Sequence, residues 1–303
     1  MLFLALLFGY AFFKSFKQFI GLNKLIIMIS LISSMIAIFE YLNKGDIFYF
    51  IFSGPNLFEQ RRPGGIAYSH VEYSFLSLLG FVSSVYLFFI SKRKIYMPIA
   101  LFLLSTSVLS SSKSGFLGFV IYIFFFLIYL LFTKRISLIS KIAFVGSSLL
   151  LIYFLFINIP YIYRGLVSLL EFDFYSKISI YHRFQDYVVG YKYLTDNIIN
   201  FLIGYTPLRN YPDTSYIEVS FVNIFFRLGL TGIIIYYFPY IYFSFSKHWL
   251  PYMVLFKILA LTIVFSDFTA NVSENIKLSV LLFTLFGSLL RLKYENKHNY
   301  TNL

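Results

Sequence analysis

Apolar stretches of bilayer-crossing length follow one another along most of this chain, and short basic clusters fall in every second gap between them. A spanning helix needs about 20 mainly apolar residues. Nine stretches read as candidate spans: Met1–Phe13, Leu22–Phe39, Tyr73–Ile90, Ile95–Leu109, Gly115–Phe132, Ile142–Ile159, Phe221–Phe245, Leu250–Ser266 and Leu278–Leu290. Of the 303 residues 59% are apolar and 13% are charged, whereas a water-soluble domain carries about a quarter charged residues. Too little polar surface remains to wet a soluble globular enzyme, and far too much burial-seeking surface is present for a disordered chain. The expected fold is an all-α polytopic membrane protein with about nine transmembrane helices, residues 1–303 forming a single integral membrane domain.

The first and last stretches are short. Met1–Phe13 lacks a basic leading region and a small-residue cleavage site, so it reads as a cut-back span or half-helix rather than a signal peptide.

Basic residues in short loops set orientation. Lys14 and Lys17 fall between the first two spans with Lys24 at the start of the second, Lys92, Arg93 and Lys94 between the third and fourth, and Lys134, Arg135 and Lys141 between the fifth and sixth. Lys247 follows the seventh span, and Arg291, Lys293 and Lys297 follow the ninth. One topology satisfies them all, with the N-terminus outside and the C-terminus inside. The inner side then holds 14 of the 25 Lys and Arg, Lys257 included, and a single acid, Glu295. The net charge of +12 thus reads as an orientation signal towards an anionic inner leaflet, and no nucleic-acid partner is expected.

Two segments do not span. The outer loop Glu40–Glu72 contains an apolar stretch, Ile47–Ser53, suited to the interface. The longer segment, 160–220, is the expected extramembrane subdomain, and it holds ten of the 27 Tyr. A connection this long is usually functional or disordered, and its apolar and Tyr content argues against disorder. Ser179–Leu194 has helical character, with Tyr187, Tyr191 and Leu194 recurring on one face, and Asn210–Thr214 with Pro212 reads as a turn.

No phosphate-binding glycine loop, zinc-protease motif or hydrolase elbow is present. Without Cys, disulfides, thiolate metal sites and a cysteine nucleophile are excluded. The polar residues that need explaining cluster on the outer side: Arg61-Arg62-Pro63-Gly64-Gly65, His70 and Glu72, the turn Ser110–Gly115 around Lys113, Arg183 in the long loop, Asp213 and Glu218, and Arg227 within the seventh span. Each has a plain alternative. Arg61 and Arg62 suit lipid headgroups, Lys113 suits a solvated turn, and Arg183 with Asp186 suits an i,i+3 surface pair. Arg227 is costly inside a span and favours a cavity or partner, with snorkelling to the interface as its alternative. Taken together, guanidinium groups and a lysine from separate outer loops suit a diphosphate at headgroup depth. Tyr187, Tyr191 and Tyr216 would offer faces for sugars, Tyr being also the ordinary interface residue. Glu218, or Asp213 in its place, would serve as general base.

These stretches resemble the O-antigen polymerase and O-antigen ligase superfamily of bacterial envelope glycan assembly. Arg62-Pro63-Gly64 through Tyr73-Ser74-Phe75 is similar to the family's R-x-G stretch leading into a span. Leu109-Ser110-Ser111-Ser112-Lys113-Ser114-Gly115-Phe116-Leu117-Gly118 is similar to its T-x-S-R-S-G-L-L pattern, with Lys for Arg. Tyr181-His182-Arg183-Phe184, followed by Asn200-Phe201-Leu202-Ile203-Gly204-Tyr205, resembles elements of the large periplasmic loop. Glu218–Asn223 through Arg227-Leu228-Gly229-Leu230-Thr231-Gly232 resembles the segment that re-enters the membrane with a G-x-x-G. The likeness covers roughly residues 60 to 240, in the family's order. The ligases usually carry His where this chain has Glu218-Val219-Ser220, which favours polymerase. The family tends to have about a dozen spans, so nine imply missing or reduced N-terminal helices.

The resemblance implies glycosyl transfer at the periplasmic face of the bacterial inner membrane, with the N-terminus periplasmic and the C-terminus cytoplasmic. Donor and acceptor would be polyprenyl-diphosphate-linked glycans, with membrane lipids and a chain-length regulator protein as further partners. Arg62, Lys113, Arg183 and Arg227 would neutralise the leaving diphosphate, which a metal does in other transferases. No Asp-x-Asp pair stands in the outer loops, so neither metal nor other cofactor is expected. A ligase acting on lipid A–core is the alternative enzyme, and a flippase for the lipid-linked unit is the alternative of another class. Transporters tend to place charge near the midplane and to show paired repeats or broken helices, whereas here charge sits at one face, the long loop is single and no repeat is visible.

Overall fold

The computed structural model describes residues 2–43, 65–67, 69–107, 109, 112–132, 146, 178–195, 197–205, 217, 219–246, 252–269 and 276–300. Among them there is no strand. The helices are α1 (Leu2–Phe12), α2 (Phe16–Asn43), α3 (His70–Ser91), α4 (Tyr96–Ser107), α5 (Lys113–Phe132), α6 (Ile178–Thr195), α7 (Ile198–Ile203), α8 (Ser220–Phe245), α9 (Val254–Asp267) and α10 (Ile276–Tyr300), with a 3-10 turn at Gly65–Ala67 before α3. Three segments, Phe16–Leu42, His70–Ser91 and Ser220–Phe245, are long and apolar enough to cross a membrane, and Tyr96–Ser107 and Ser114–Tyr129 are shorter apolar helices. The protein is an all-α membrane protein. The expected span Ile142–Ile159 lies outside the described residues, Gly146 apart.

Helix α2 starts earlier than the apolar pattern implies, taking in Lys17 and Lys24. A capping box explains the start: Gln18 Oε1 accepts from the backbone N–H groups of Lys14 at 2.8 Å and Ser15 at 3.0 Å, while Ser15 Oγ accepts from Gln18 N–H at 3.3 Å. Three backbone amides at and just before the helix start are thereby satisfied. At its other end α3 stops at Lys92, whose left-handed conformation (φ 55°) lets its N–H donate to Phe88 O at 2.9 Å.

The chain divides into two units, one of residues 1–119, 246–259 and 275–303, the other of residues 120–245 and 260–274. The first unit packs through small and hydroxylated residues, as apolar helices do where lipid supplies no hydrophobic drive to associate. Gly9 of α1 sits against the Thr284 backbone of α10, and Gly287 of α10 sits against Leu6 and Tyr10 of α1. Arg291 lies over the Tyr10 ring, 5.3 Å from its centroid. Gly80 of α3 leaves room for Ser30 of α2, whose hydroxyl donates to Leu76 O at 3.0 Å. Tyr73 joins three helices, donating from α3 to Ser34 Oγ of α2 at 3.3 Å and to Thr106 O of α4 at 3.1 Å. Phe19, Tyr86 and Phe256 form an aromatic core with ring centroids 5.1 to 5.9 Å apart.

In the second unit α8 is not one straight rod. Gly229 has φ 63° and ψ −161°, outside helical geometry. Phe221 and Tyr237 would lie about 24 Å apart along a straight helix, yet their ring centroids are 6.2 Å apart. The chain therefore turns sharply at Gly229, leaving a short half-helix, Ser220 to Leu228, and a longer one beyond it that contains Pro239. The expected span Phe221–Phe245 is thus built from two helical pieces that meet at Gly229. A core of Ile217, Val219, Val222 and Phe226 forms at the first half, with Tyr187, Val189 and Tyr193 of α6 packed on it.

Candidate functional site

Arg62, Asp213, Tyr216 and Glu218 lie outside the described residues. Lys113 opens α5 in the first unit, its side chain likewise outside the description, and both neighbours, Ser112 and Ser114, are buried. Arg183, Tyr187, Tyr191 and Arg227 belong to the second unit.

In the first unit the segment following Arg62 is held by α2. Glu40, itself buried, accepts the Gly65 N–H through Oε2 at 3.0 Å, and Ser33 Oγ accepts the Ile66 N–H at 3.2 Å. Gly65 has φ +53°, and a Cβ there would run into Ser33. The second glycine of the Pro63-Gly64-Gly65 run is needed for both reasons. The serine turn is held in the same way: Ser112 Oγ accepts the Gly115 N–H at 3.1 Å. A Cβ on Gly115 would meet the Ser74 side chain of α3. Ser74, near the end of the first resemblance stretch, thus touches Gly115 of the second.

In the second unit α6 is anchored by two adjacent residues. Asp186 is buried, and its Oδ2 accepts the Val219 N–H at 3.2 Å, fixing the chain one residue after Glu218. Tyr187 donates its hydroxyl to Phe268 O at 2.6 Å, beyond the end of α9. Burial, then the negative charges of Asp186 and Asp267, push the Tyr187 phenol up to about 12. Its hydroxyl and ring are thus committed to packing, whereas Tyr191, one turn later, is 71% exposed. The two tyrosines that share a helical face in the sequence have different surroundings. Asp267, which sequence reasoning passed over, is fully buried and accepts from Tyr237 OH at 3.0 Å.

Arg227 sits two residues before the break in α8, at the carbonyl end of the first half-helix, where a cation is favoured by the helix dipole. The break is filled by the end of α7. Tyr205 N–H donates to Phe226 O at 2.7 Å, and Thr231 Oγ1 donates to Leu202 O at 2.9 Å and to Leu228 O at 3.0 Å. Gly204 (φ +94°) lies against the Arg227 backbone, and Gly229 lies against Leu202, Ile203 and Gly204. The loop stretch Asn200–Tyr205 and the stretch Arg227–Gly232 are therefore one interlocked structure. Neither glycine tolerates a side chain.

Compared with protein-family models, curated proteins and solved structures, the chain matches none.

Proposed function

We propose that this chain is a membrane glycosyltransferase that polymerises polyprenyl-diphosphate-linked oligosaccharide repeat units at the periplasmic face of the bacterial inner membrane. The observation that supports this reading is the pairwise meeting of the stretches on which the family resemblance rests. Ser74 touches Gly115 in one unit, and Leu202–Tyr205 locks into Arg227–Thr231 in the other. Stretches far apart in sequence that close on each other behave as parts of a site rather than as isolated motifs.

In this reading nine spans leave the N-terminus periplasmic and the C-terminus cytoplasmic. An acceptor hydroxyl attacks the donor's anomeric carbon with inversion while the bond to the diphosphate oxygen breaks. Glu218, or Asp213, takes the hydroxyl proton, and polyprenyl diphosphate leaves with its charge balanced by Arg62, Lys113, Arg183 and Arg227. No metal takes part. The test is reconstituted protein given purified lipid-linked repeat units: a ladder of products supports polymerisation. A single transfer to lipid A–core instead means ligase. Abolition by EDTA overturns metal independence.

The break at Gly229 favours a second reading, since discontinuous helices are frequent in transporters. A flippase would move the lipid-linked unit across vesicles without lengthening it.

A further inference from the structure

Helix α6 is apolar on the side it turns away from its own core. Asp186 and Gly190 face inward and are buried, whereas Phe184, Val188 and Tyr191, at i, i+4 and i+7 on the opposite side, are all exposed. Helix α7 extends this surface. Its sequence is Ile-Ile-Asn-Phe-Leu-Ile with no buried residue, and Ile198 is 69% and Ile203 61% exposed, with Ile199 and Leu202 also open. A loop subdomain standing in water would leave these side chains wet, at about 1.5–3 kcal/mol for each large aliphatic left unburied.

What covers the surface is indicated by where it leads. The α7 end is bonded into the break of α8 through Leu202 and Tyr205. Leu228 and Leu230, on either side of that break, are open as well. Beyond them Ile234, Ile235, Phe238 and Ile241 continue an exposed apolar flank along the second half of α8. Among the described residues, the polar groups at the margin of the α6 stripe are cationic or neutral: Lys192 beside Tyr191, His182, and Thr195, all exposed. Apolar and aromatic side chains edged by a lysine form the pattern of a helix lying in the headgroup–acyl boundary.

We infer that α6 and α7 lie in the bilayer interface, with the Phe184–Val188–Tyr191 stripe and the Ile198–Ile203 helix dipped into lipid. The α6–α7 part of the long loop is then a membrane-embedded shelf rather than a water-exposed cap. This placement depends on the chain spanning a membrane and not on its catalysing glycosyl transfer.

The chain has no cysteine, so single-site labelling has no background. Val188→Cys, Tyr191→Cys, Ile199→Cys and Ile203→Cys, with Lys94→Cys in an exposed polar turn as reference, would each carry an environment-sensitive fluorophore. The full chain is reconstituted in vesicles of phosphatidylethanolamine and phosphatidylglycerol. Lipids brominated on the upper acyl chain should quench the four test positions several-fold more than the reference, and aqueous iodide should do the reverse. Iodide quenching equal to that at Lys94→Cys, with no effect of brominated lipid, overturns the inference. So does protection from both quenchers, which would mean a second copy or another protein covers the face. Four independent positions keep the outcome readable if one variant fails to fold.

Discussion

Tyr205 gives its backbone N–H to the Phe226 carbonyl across 2.7 Å, at the point where α8 ceases to be a helix. Non-helical geometry at Gly229 interrupts the i to i+4 ladder, so carbonyls before the break need donors from elsewhere. Tyr205 supplies one of them, and the Thr231 hydroxyl supplies Leu228. An exposed break would be solvated by water; in an apolar segment it must be met by protein. The segment ending α7 is therefore part of α8's own hydrogen bonding, and Arg227 is held at a junction made by two stretches of chain.

That junction predicts an intolerance of side chains at two glycines. Gly204→Ala and Gly229→Ala each place a Cβ into backbone of the opposing stretch, at φ +94° and φ +63°. Strained backbone alone costs about 1–3 kcal/mol, and the collision adds to it. Both variants should lower the unfolding midpoint in detergent and lose activity. Gly21→Ala is the control, because a Cβ there meets nothing within 4 Å and sits in the helical α2, where alanine gains about 0.4–1 kcal/mol. Equal midpoints for all three variants would refute the interlock.

Asp186 should matter more through its acceptor oxygen than through its charge. Asp186→Ala leaves the Val219 N–H, on a fully buried residue, without its carboxylate, a loss of about 1–3 kcal/mol. Asp186→Asn keeps an acceptor and should retain most of the stability. If Val219 positions Glu218, Asp186→Ala should also reduce turnover more than donor binding. Identical stability of the Ala and Asn variants would contradict an anchoring role.

How far the sequence could lead is clear from these same residues. Bilayer-scale hydrophobic runs locate α1 to α5 and α8 to α10, because length and apolarity are local properties, but α2 begins six residues before Leu22 and α10 runs ten residues past Leu290. The polar Ser15–Gln18 capping box starts α2 ahead of its apolar run, a local signal to which a hydrophobicity window is blind. Asp186 stands at i,i+3 from Arg183 in the sequence, but its bond to Val219, 33 positions away, appears only in the fold. Long-range hydrogen bonds have no periodicity to betray them. Gly229 lay within a G-x-x-G that pointed to re-entry, but an apolar count over Phe221–Phe245 cannot register a single residue leaving helical geometry. Asp267 escaped notice for a similar reason: its meaning comes from Tyr237, on another helix.

Glu40 makes the counterpart of the Asp186 anchor in the other unit. Removing its carboxylate in Glu40→Ala leaves the Gly65 N–H without its acceptor, again about 1–3 kcal/mol, and loosens the chain just after Arg62. Limited proteolysis should then cut the loop Glu40–Glu72 faster than in the parent protein. Glu40→Gln, which keeps an acceptor, should be cut at nearly the parental rate; rapid cutting of both variants would show that the negative charge, not the hydrogen bond, is what matters.

Tyr187 gives a pH dependence with a definite sign. Its phenol donates to Phe268 O and is raised from 10.0 to about 12 by burial and by the charges of Asp186 and Asp267. The folded protein therefore holds this proton more tightly than the unfolded chain does. The resulting stabilisation is fully present below pH 10 and is lost as pH rises from 10 through about 12, where the folded form also ionises. Tyr187→Phe removes both the hydrogen bond and the titration. At neutral pH it should cost about 0.5–1.5 kcal/mol, and between pH 10 and 12 the parent should lose stability faster than the variant, so that the two denaturant-unfolding curves converge. The other tyrosines titrate in both proteins and cancel in the difference. A stability gap that stays constant across that range would show that Tyr187 titrates alike in the folded and unfolded states.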